Sequence, residues 1–193
     1  MTRPDDPLVA ALRPITSRVR TDKTAKKVEK GSVWTHDALT DENLARHLNG
    51  GPARGVCPLQ EGGDTVEIAL LDFDSHKGEV GWAEMSEVVA RVVLVLEMAW
   101  GMSPVLFRSS GGRGVHLYLL WGSPQDAWTV RQWLREVLEG CGLRDGAGGV
   151  GQGQVEIFPK QDRVPMGGSG NQFILPMAGK GAPLALQETS LWD

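Results

Sequence analysis

The chain has 193 residues, 41% of them hydrophobic and 23% charged, the balance of a soluble globular domain whose single core can bury about 70% of the unfolded surface. No apolar run approaches the ~20 residues that span a bilayer, residues 1–20 carry charges where a signal peptide needs an apolar stretch, and Cys57 and Cys141 are too few for a disulfide framework or a structural zinc site. Membrane, secreted-disulfide and zinc-finger classes are thereby excluded and a cytoplasmic setting is expected, while a net charge of −4 argues against a protein that coats DNA.

In chain order, residues 1–30 hold eight basic and four acidic side chains, +4, which leaves −8 for the remainder. Residues 1–31 lack apolar periodicity and read as a basic, flexible N-terminal extension, either a solvated leader or an arm that finds phosphate backbones. Residues 32–193 read as one domain. Thr40 offers an N-cap to a helix over 41–48, with Leu44 and Leu48 on one face and Gly50-Gly51 as the stop. The apolar run from Val66 to Asp74 is too short for a core helix and predicts a central strand. Trp82–Trp100 follows as a helix, with Met85, Val88, Val89, Val92, Val93 and Leu96 recurring at three and four and Gly101 ending it. Pro104–Arg108 and Val115–Trp121 predict a hairpin around the glycine-rich Ser110–Gly114. Ser123 and Pro124 predict the start of a helix that stops at Gly140. A glycine-rich loop over 142–153 leads to strands at Gln154–Phe158 and Phe173–Leu175. This order gives an α+β fold: a mixed β-sheet with flanking helices on one or both faces.

Three constellations carry chemistry. Asp72 and Asp74 close the most apolar strand and alternate with Phe73, so both carboxylates share one face. Left unpaired there they cost much desolvation energy, which a divalent, oxygen-preferring cation relieves; pairing with a lysine, or a simple turn at Asp74, is the plain alternative. Next, Ser110, Arg113 and His116 lie within one glycine-rich turn and the strand after it. Backbone amides and a guanidinium fork suit a polyphosphate, whereas a hairpin turn and a core histidine are the plain readings. Finally, Glu156 stands in an otherwise apolar strand with Lys160 beyond Pro159. A buried lone acid needs a partner, either a metal shared with Asp72 and Asp74 or a salt bridge to Lys160 or Arg163.

Gly146–Gly151 matches G-x-G-x-x-G, but it follows no strand and leads into a strand rather than a helix, which excludes a dinucleotide site. His36, His47 and His76 show no ligand spacing, and the seven tryptophans read as packing, with Trp34 and Trp82 as candidates for base stacking.

In this order the three motifs resemble those of the archaeo-eukaryotic primase superfamily, the primase-polymerases: a strand ending in D-x-D, a serine-to-histidine motif and a later strand with one acid. Arg54–Leu59, Pro159–Gln161 and Gly170–Pro176 are similar to segments of its bacterial, plasmid and phage branch, although that branch usually has an aromatic at Cys57. The likeness spans about residues 40–180. It implies a core sheet related to the RNA-recognition-motif fold, with a small N-terminal α/β unit, and a catalytic domain over 32–193. It further implies two divalent ions, Mg²⁺ or Mn²⁺, on Asp72, Asp74 and Glu156, where the family more often has Asp at the third position. Ser110, Arg113, His116 and Lys160 would bind the triphosphate of the incoming nucleotide, and Asn171 its base or sugar.

The expected activity is that of a DNA primase, a DNA polymerase or both: template-directed addition of nucleotides to a 3′-hydroxyl by a two-metal mechanism, with pyrophosphate released. Single-stranded DNA template, primer and nucleoside triphosphates are the expected partners, with Arg108, Arg163 and the basic arm as template candidates. Many relatives carry a zinc module or a helical primase domain after the core. Its absence here implies a fragment of a larger replication protein or a core served by a helicase or accessory domain, in a bacterial, plasmid- or phage-encoded cytoplasmic system. The alternatives are a phosphodiesterase or nuclease on the same carboxylates, a non-catalytic nucleic-acid-binding module, and a structural domain in which each acid has a basic partner.

Overall fold

In the computed structural model, which describes residues 7–29 and 31–184, the expected N-terminal arm is largely folded. Two short helices, α1 (Pro7–Ala11) and α2 (Arg13–Thr16), bury Val9, Leu12 and Ile15, and Val19 follows them into the core. Arg20 is fully buried, its guanidinium bonded to Asp22, to Glu61 at 2.6 Å and to the Gly168 carbonyl at 2.6 Å. The flexible extension through residue 31 is therefore corrected. A signal was present: Val9, Leu12, Ile15 and Val19 recur at three, three and four, the spacing of one buried face, but Pro14 breaks the stretch into two helices of about one turn each. Leu12→Ala should accordingly cost about 2–5 kcal/mol of stability in urea unfolding, where a free arm would give no change.

After this come β1 (Ala25–Lys27), β2 (Ser32–Trp34), α3 (Asp41–Leu48) and β3 (Arg54–Val56). The predicted cap is present: Thr40 Oγ1 accepts from the Asn43 amide at 3.2 Å. A second series follows, with β4 (Thr65–Phe73), α4 (Trp82–Trp100), β5 (Val105–Arg108), β6 (Val115–Asp126), α5 (Ala127–Gly140), β7 (Arg144–Asp145) and β8 (Gln154–Phe158). The chain closes with β9 (Phe173–Ile174) and β10 (Pro183–Leu184). Gly101 ends α4 in the left-handed conformation, at φ 63°, as the sequence predicts.

Two sheets result, a four-stranded one in the order β2-β1-β3-β9 and a six-stranded one in the order β10-β5-β6-β4-β8-β7. Strands β4 and β5, joined through α4, run parallel, but β6 lies between them and pairs antiparallel with both. The pair β7–β8 is parallel, so the larger sheet is mixed. Within it, β4-α4-β5-β6-α5-β8 is a split β-α-β arrangement, the architecture expected of a sheet related to the RNA-recognition motif. One start is misplaced: the predicted cap at Ser123 and Pro124 lies inside β6, because Gln125 and Asp126 pair with Val66 and Thr65. Asp126 caps α5 instead, accepting from the Thr129 amide at 2.7 Å.

Both faces of β4 are covered, which is why its sequence reads as a continuous apolar run. Leu71 and Phe73 pack with Leu117, Ile157 and the apolar stripes of α4 and α5. Ile68 and Leu70 pack with Tyr118, Phe158 and the N-terminal unit, through Leu12, Leu44 and Phe173. Among the described residues no helix is long and apolar enough to cross a membrane.

Candidate active site

The ladder itself assembles the site. Asp72 on β4 is the register partner of His116 on β6 and of Glu156 on β8, and His116 is in turn that of Phe107 on β5. Register partners in antiparallel strands share a face, so one row across four strands reads Phe107, His116, Asp72, Glu156. Asp74, two residues on, has the same parity. This is the face that the N-terminal unit covers, and at the end of β4 the cover and the sheet part. Asp72, Asp74, Ser110, Arg113 and His116 line the resulting cavity of about 300 Å³.

The hairpin loop is pinned at its neck. The Ser109 amide donates to Gly114 O at 2.9 Å, and the Gly114 amide donates to Ser109 Oγ at 3.0 Å. Gly114 has to be glycine: a Cβ there would stand 2.2 Å from Phe73 O and 3.1 Å from Asp74 Oδ1. The loop thus passes directly against the second carboxylate. Arg113 makes no hydrogen bond or ion pair among the described residues, which leaves its fork uncommitted at the cavity.

The acids are in an unfavourable setting for charge. Burial, then the neighbouring Asp74 and Glu156 carboxylates, push Asp72 well above the ordinary carboxylate range, against weaker opposition from Lys160 and Lys27. Asp74 is raised as well, by burial first and by Glu156, with His76 and Lys27 acting the other way. Asp72 Oδ1 is buried without a hydrogen-bond donor; His116 Nε2 lies 3.4 Å away. An orphaned acid oxygen beside a second carboxylate fits a hard divalent cation, whose charge would reverse both shifts.

Glu156 is placed differently from the other two. Its carboxylate is held by Lys160 Nζ at 2.5 Å, the salt bridge that is the plain alternative to a third metal ligand. Among the described residues no three His, Cys, Asp or Glu side chains converge as a ligand set. Lys160 therefore reaches the site through Glu156. Asn171 does not reach it: the residue is exposed, and its backbone and side-chain amides both donate to Gln161 Oε1, at 2.9 and 2.7 Å.

Burial, and secondarily Lys27, lower the His116 imidazole to about 4, so it is neutral at pH 7. Its Nδ1 lies 3.4 Å from the Tyr118 hydroxyl, which leaves Nε2 toward Asp72 and the cavity. The unfolded chain binds this proton near 6.5 and the folded one near 4. Stability from this group is thus complete above 6.5 and is lost as pH falls toward 4, by roughly 3 kcal/mol in all. Urea unfolding of the parent and of His116→Gln, compared between about pH 7.5 and about pH 4.5, should show the steeper acid loss in the parent. Equal slopes would refute the buried neutral imidazole.

The cavity is also lined by Ser75, Ile174 and Lys27, none of which the sequence places at the site, and Lys27 is the charged one. Lys27, which the sequence analysis assigns to the basic arm, sits on β1 with Nζ 3.3 Å from Ser110 Oγ and lines the same cavity as the acids. Its signal was one of composition only. Of the template candidates, Arg108 is stacked 4.0 Å over the Trp82 ring, and Arg163 Nε donates to Gly62 O at 3.3 Å. His47 is structural, bonded to Pro176 O and accepting from the Arg54 amide.

The family described as the archaeo-eukaryotic primase domain of TOTE conflict systems matches residues 11–185. No curated protein matches the chain. Among solved structures, the polymerase domain of ligase D from Mycobacterium tuberculosis, in complex with DNA, is similar at a TM-score of 0.58 and 16% identity, over 88% of this chain and 64% of that one. The chain thus spans just under two thirds of that domain, and the likeness shows a shared fold. The primase-polymerase domain of cyanophage S-2L is similar at a TM-score of 0.43 and 14% identity, over 81% of this chain and 90% of that one.

Proposed function

Because the chain belongs to the archaeo-eukaryotic primase domain family of TOTE conflict systems, we propose that it is a template-directed nucleotidyltransferase, extending or starting DNA-templated strands from nucleoside triphosphates. One observation carries the reading: a single cavity is lined both by two carboxylates, Asp72 and Asp74, and by Lys27, Ser110, Gly111 and Arg113. A phosphodiesterase needs the carboxylates only. The basic and loop residues suit a polyphosphate, and the DNA complex of the M. tuberculosis domain supports nucleic acid as the other substrate.

In this reading Asp72 and Asp74 hold divalent cations, Mg²⁺ or Mn²⁺, and Glu156 completes the set on leaving Lys160. Bound there, the ions supply a lowered 3′-hydroxyl pKa and neutralisation of the leaving pyrophosphate. The protein's own residues do the positioning. Arg113 and Lys27 bind non-bridging phosphate oxygens, Arg113 as a bidentate fork. Ser110 and the loop amides bind further oxygens of the same chain, and neutral His116 donates one N–H from Nε2. Lys160, once free of Glu156, adds a cation at the same end. In-line transfer then requires alignment and charge neutralisation rather than a protein nucleophile.

The test is a gel assay with primed and unprimed single-stranded DNA, labelled ribo- or deoxynucleotides, and Mg²⁺ or Mn²⁺. Extended primers establish polymerase chemistry, and products without a primer add priming. Shortened template with no extension would replace this reading with a nuclease, and template binding without any product would replace it with a binding module.

A further inference from the structure

Asp72 and Asp74 are held in place by different means. Asp72 lies inside β4, with ladder partners on both sides. Asp74 lies one residue beyond the strand's end at Phe73, where no ladder sets the backbone. Something else has to hold it.

The glycine-rich stretch that imitates a dinucleotide fingerprint occupies that position. It closes into a 3-10 turn over Val150–Gln152 and enters β8, and on the way it folds against the residues that follow β4. The Val150 amide donates to Asp74 O at 2.9 Å, and Ala147 O lies 2.8 Å from His76 Nε2. Between these two bonds stands Gly149, at φ +80°. A Cβ on Gly149 would meet Asp74 O at 2.8 Å and His76 Cδ2 at 3.1 Å, so a glycine is required both by the backbone conformation and by the close approach. The loop is braced from behind, since the Gly148 amide donates to Gln154 Oε1 at 2.8 Å and the Gln154 amide to Gly149 O at 3.0 Å. Gly114 closes in on the carboxylate from the hairpin side. Asp74 is therefore gripped between two glycine contacts on separate loops.

We propose that Gly149 is a positioning residue for the metal site: by letting the Val150 amide reach Asp74 O, it sets the direction in which the Asp74 carboxylate is presented. The inference rests on the nucleotidyltransferase reading, in that it takes Asp74 as a cation ligand. Gly149 itself touches neither substrate nor ion.

A pair of substitutions in the same loop tests it. Gly149 stands at φ 80°, ψ 171°, a conformation essentially confined to glycine, whereas Gly153 is left-handed at φ 66°, ψ 28°, which alanine adopts at modest cost, and a Cβ there meets nothing within 4 Å. Gly149→Ala therefore disturbs the loop both through its backbone and by pressing on Asp74 O, and Gly153→Ala does neither to that extent. Mn²⁺ binding is read by electron paramagnetic resonance of the free ion and by the Mn²⁺-induced rise in thermal midpoint. Gly149→Ala is expected to bind Mn²⁺ about tenfold more weakly or worse, with Gly153→Ala close to the parent. Equal affinities in the two variants overturn the inference while leaving the parent's metal site standing. A parent that binds no Mn²⁺ overturns the metal reading and this inference with it. The parent also gives a readout independent of any variant's folding: hydrogen exchange at the Val150 amide should slow when Mn²⁺ is added, and an unchanged rate overturns the inference.

Discussion

Asp72→Asn is expected to abolish nucleotide addition and, in the absence of metal, to make the protein harder to unfold. The two effects share a cause. Folding places the Asp72 carboxyl where burial and two neighbouring acids push its ionisation well above the ordinary range. The unfolded chain ionises it freely, so above the unfolded value the charge weighs against the folded state, and this penalty grows until pH passes the folded value. Asparagine has nearly the same shape and no charge, so the metal-free variant escapes the penalty at neutral pH. If the proposed function holds, a cation ligand is lost in exchange, along with several kcal/mol of transition-state stabilisation, or about 10³-fold or more in rate. The expected signature is a metal-free urea midpoint above the parent's, no further rise with Mn²⁺, and no detectable primer extension. An ordinary structural carboxylate would give the reverse, a less stable variant that keeps its activity. That result would remove Asp72 from the site.

Several elements of the fold were legible in the sequence because each carries its own local signal. Helix α4 has an apolar stripe of three and four spacing and a glycine stop, α3 has a threonine cap, and β4 is apolar throughout because it is buried on both faces. The elements missed are those whose stability is not local. Strands β1, β2 and β3 are three residues each, and they exist because they pair with one another and with β9. The one-turn helices at 7–16 acquire their order from burying Val9, Leu12 and Ile15 in a core built by residues far along the chain. At Ser123 and Pro124 a sound local cap signal lost to a longer-range one, the pairing of Gln125 and Asp126 with the start of β4.

The same division holds at the site. Asp72, Asp74, Ser110, Arg113 and His116 come together because their motifs lie on neighbouring strands, and alternation on a strand can be read without a structure. Glu156 joins the row by register, but sequence could not decide whether its carboxylate faces a metal or Lys160, since Lys160 lies within reach in either case. Asn171 was placed by resemblance alone; in the fold its amides are taken by Gln161. Lys27 belongs to a different layer, and nothing short of knowing that β1 lies over the hairpin loop could have found it.

Lys27 carries the second large expected effect. Lys27→Ala should raise the KM for nucleoside triphosphate by about tenfold or more, with a smaller change in kcat. Its ammonium stands 3.3 Å from Ser110 Oγ in the cavity that Arg113 also lines, so a triphosphate would meet it together with Arg113, on binding and in the transition state alike. An interaction made equally in both states appears in KM. The substitution also acts on the acids of the same cavity: Lys27 lowers the ionisation of Asp72 and Asp74 against their burial, so its loss leaves both more reluctant to carry charge. More Mn²⁺ should then be needed for half-maximal rate, and the shift should be largest at acidic pH, where those carboxyls protonate first. Lys27→Arg keeps the charge and should recover most of the KM, while Lys27→Met keeps only the aliphatic stem and should not. Because the contact lies at a partly open rim, added salt should narrow the gap between the parent and Lys27→Ala. A KM unmoved in Lys27→Met would assign the lysine to packing between β1 and the hairpin loop, and the N-terminal unit would then be a cover for the site with no part in binding the nucleotide.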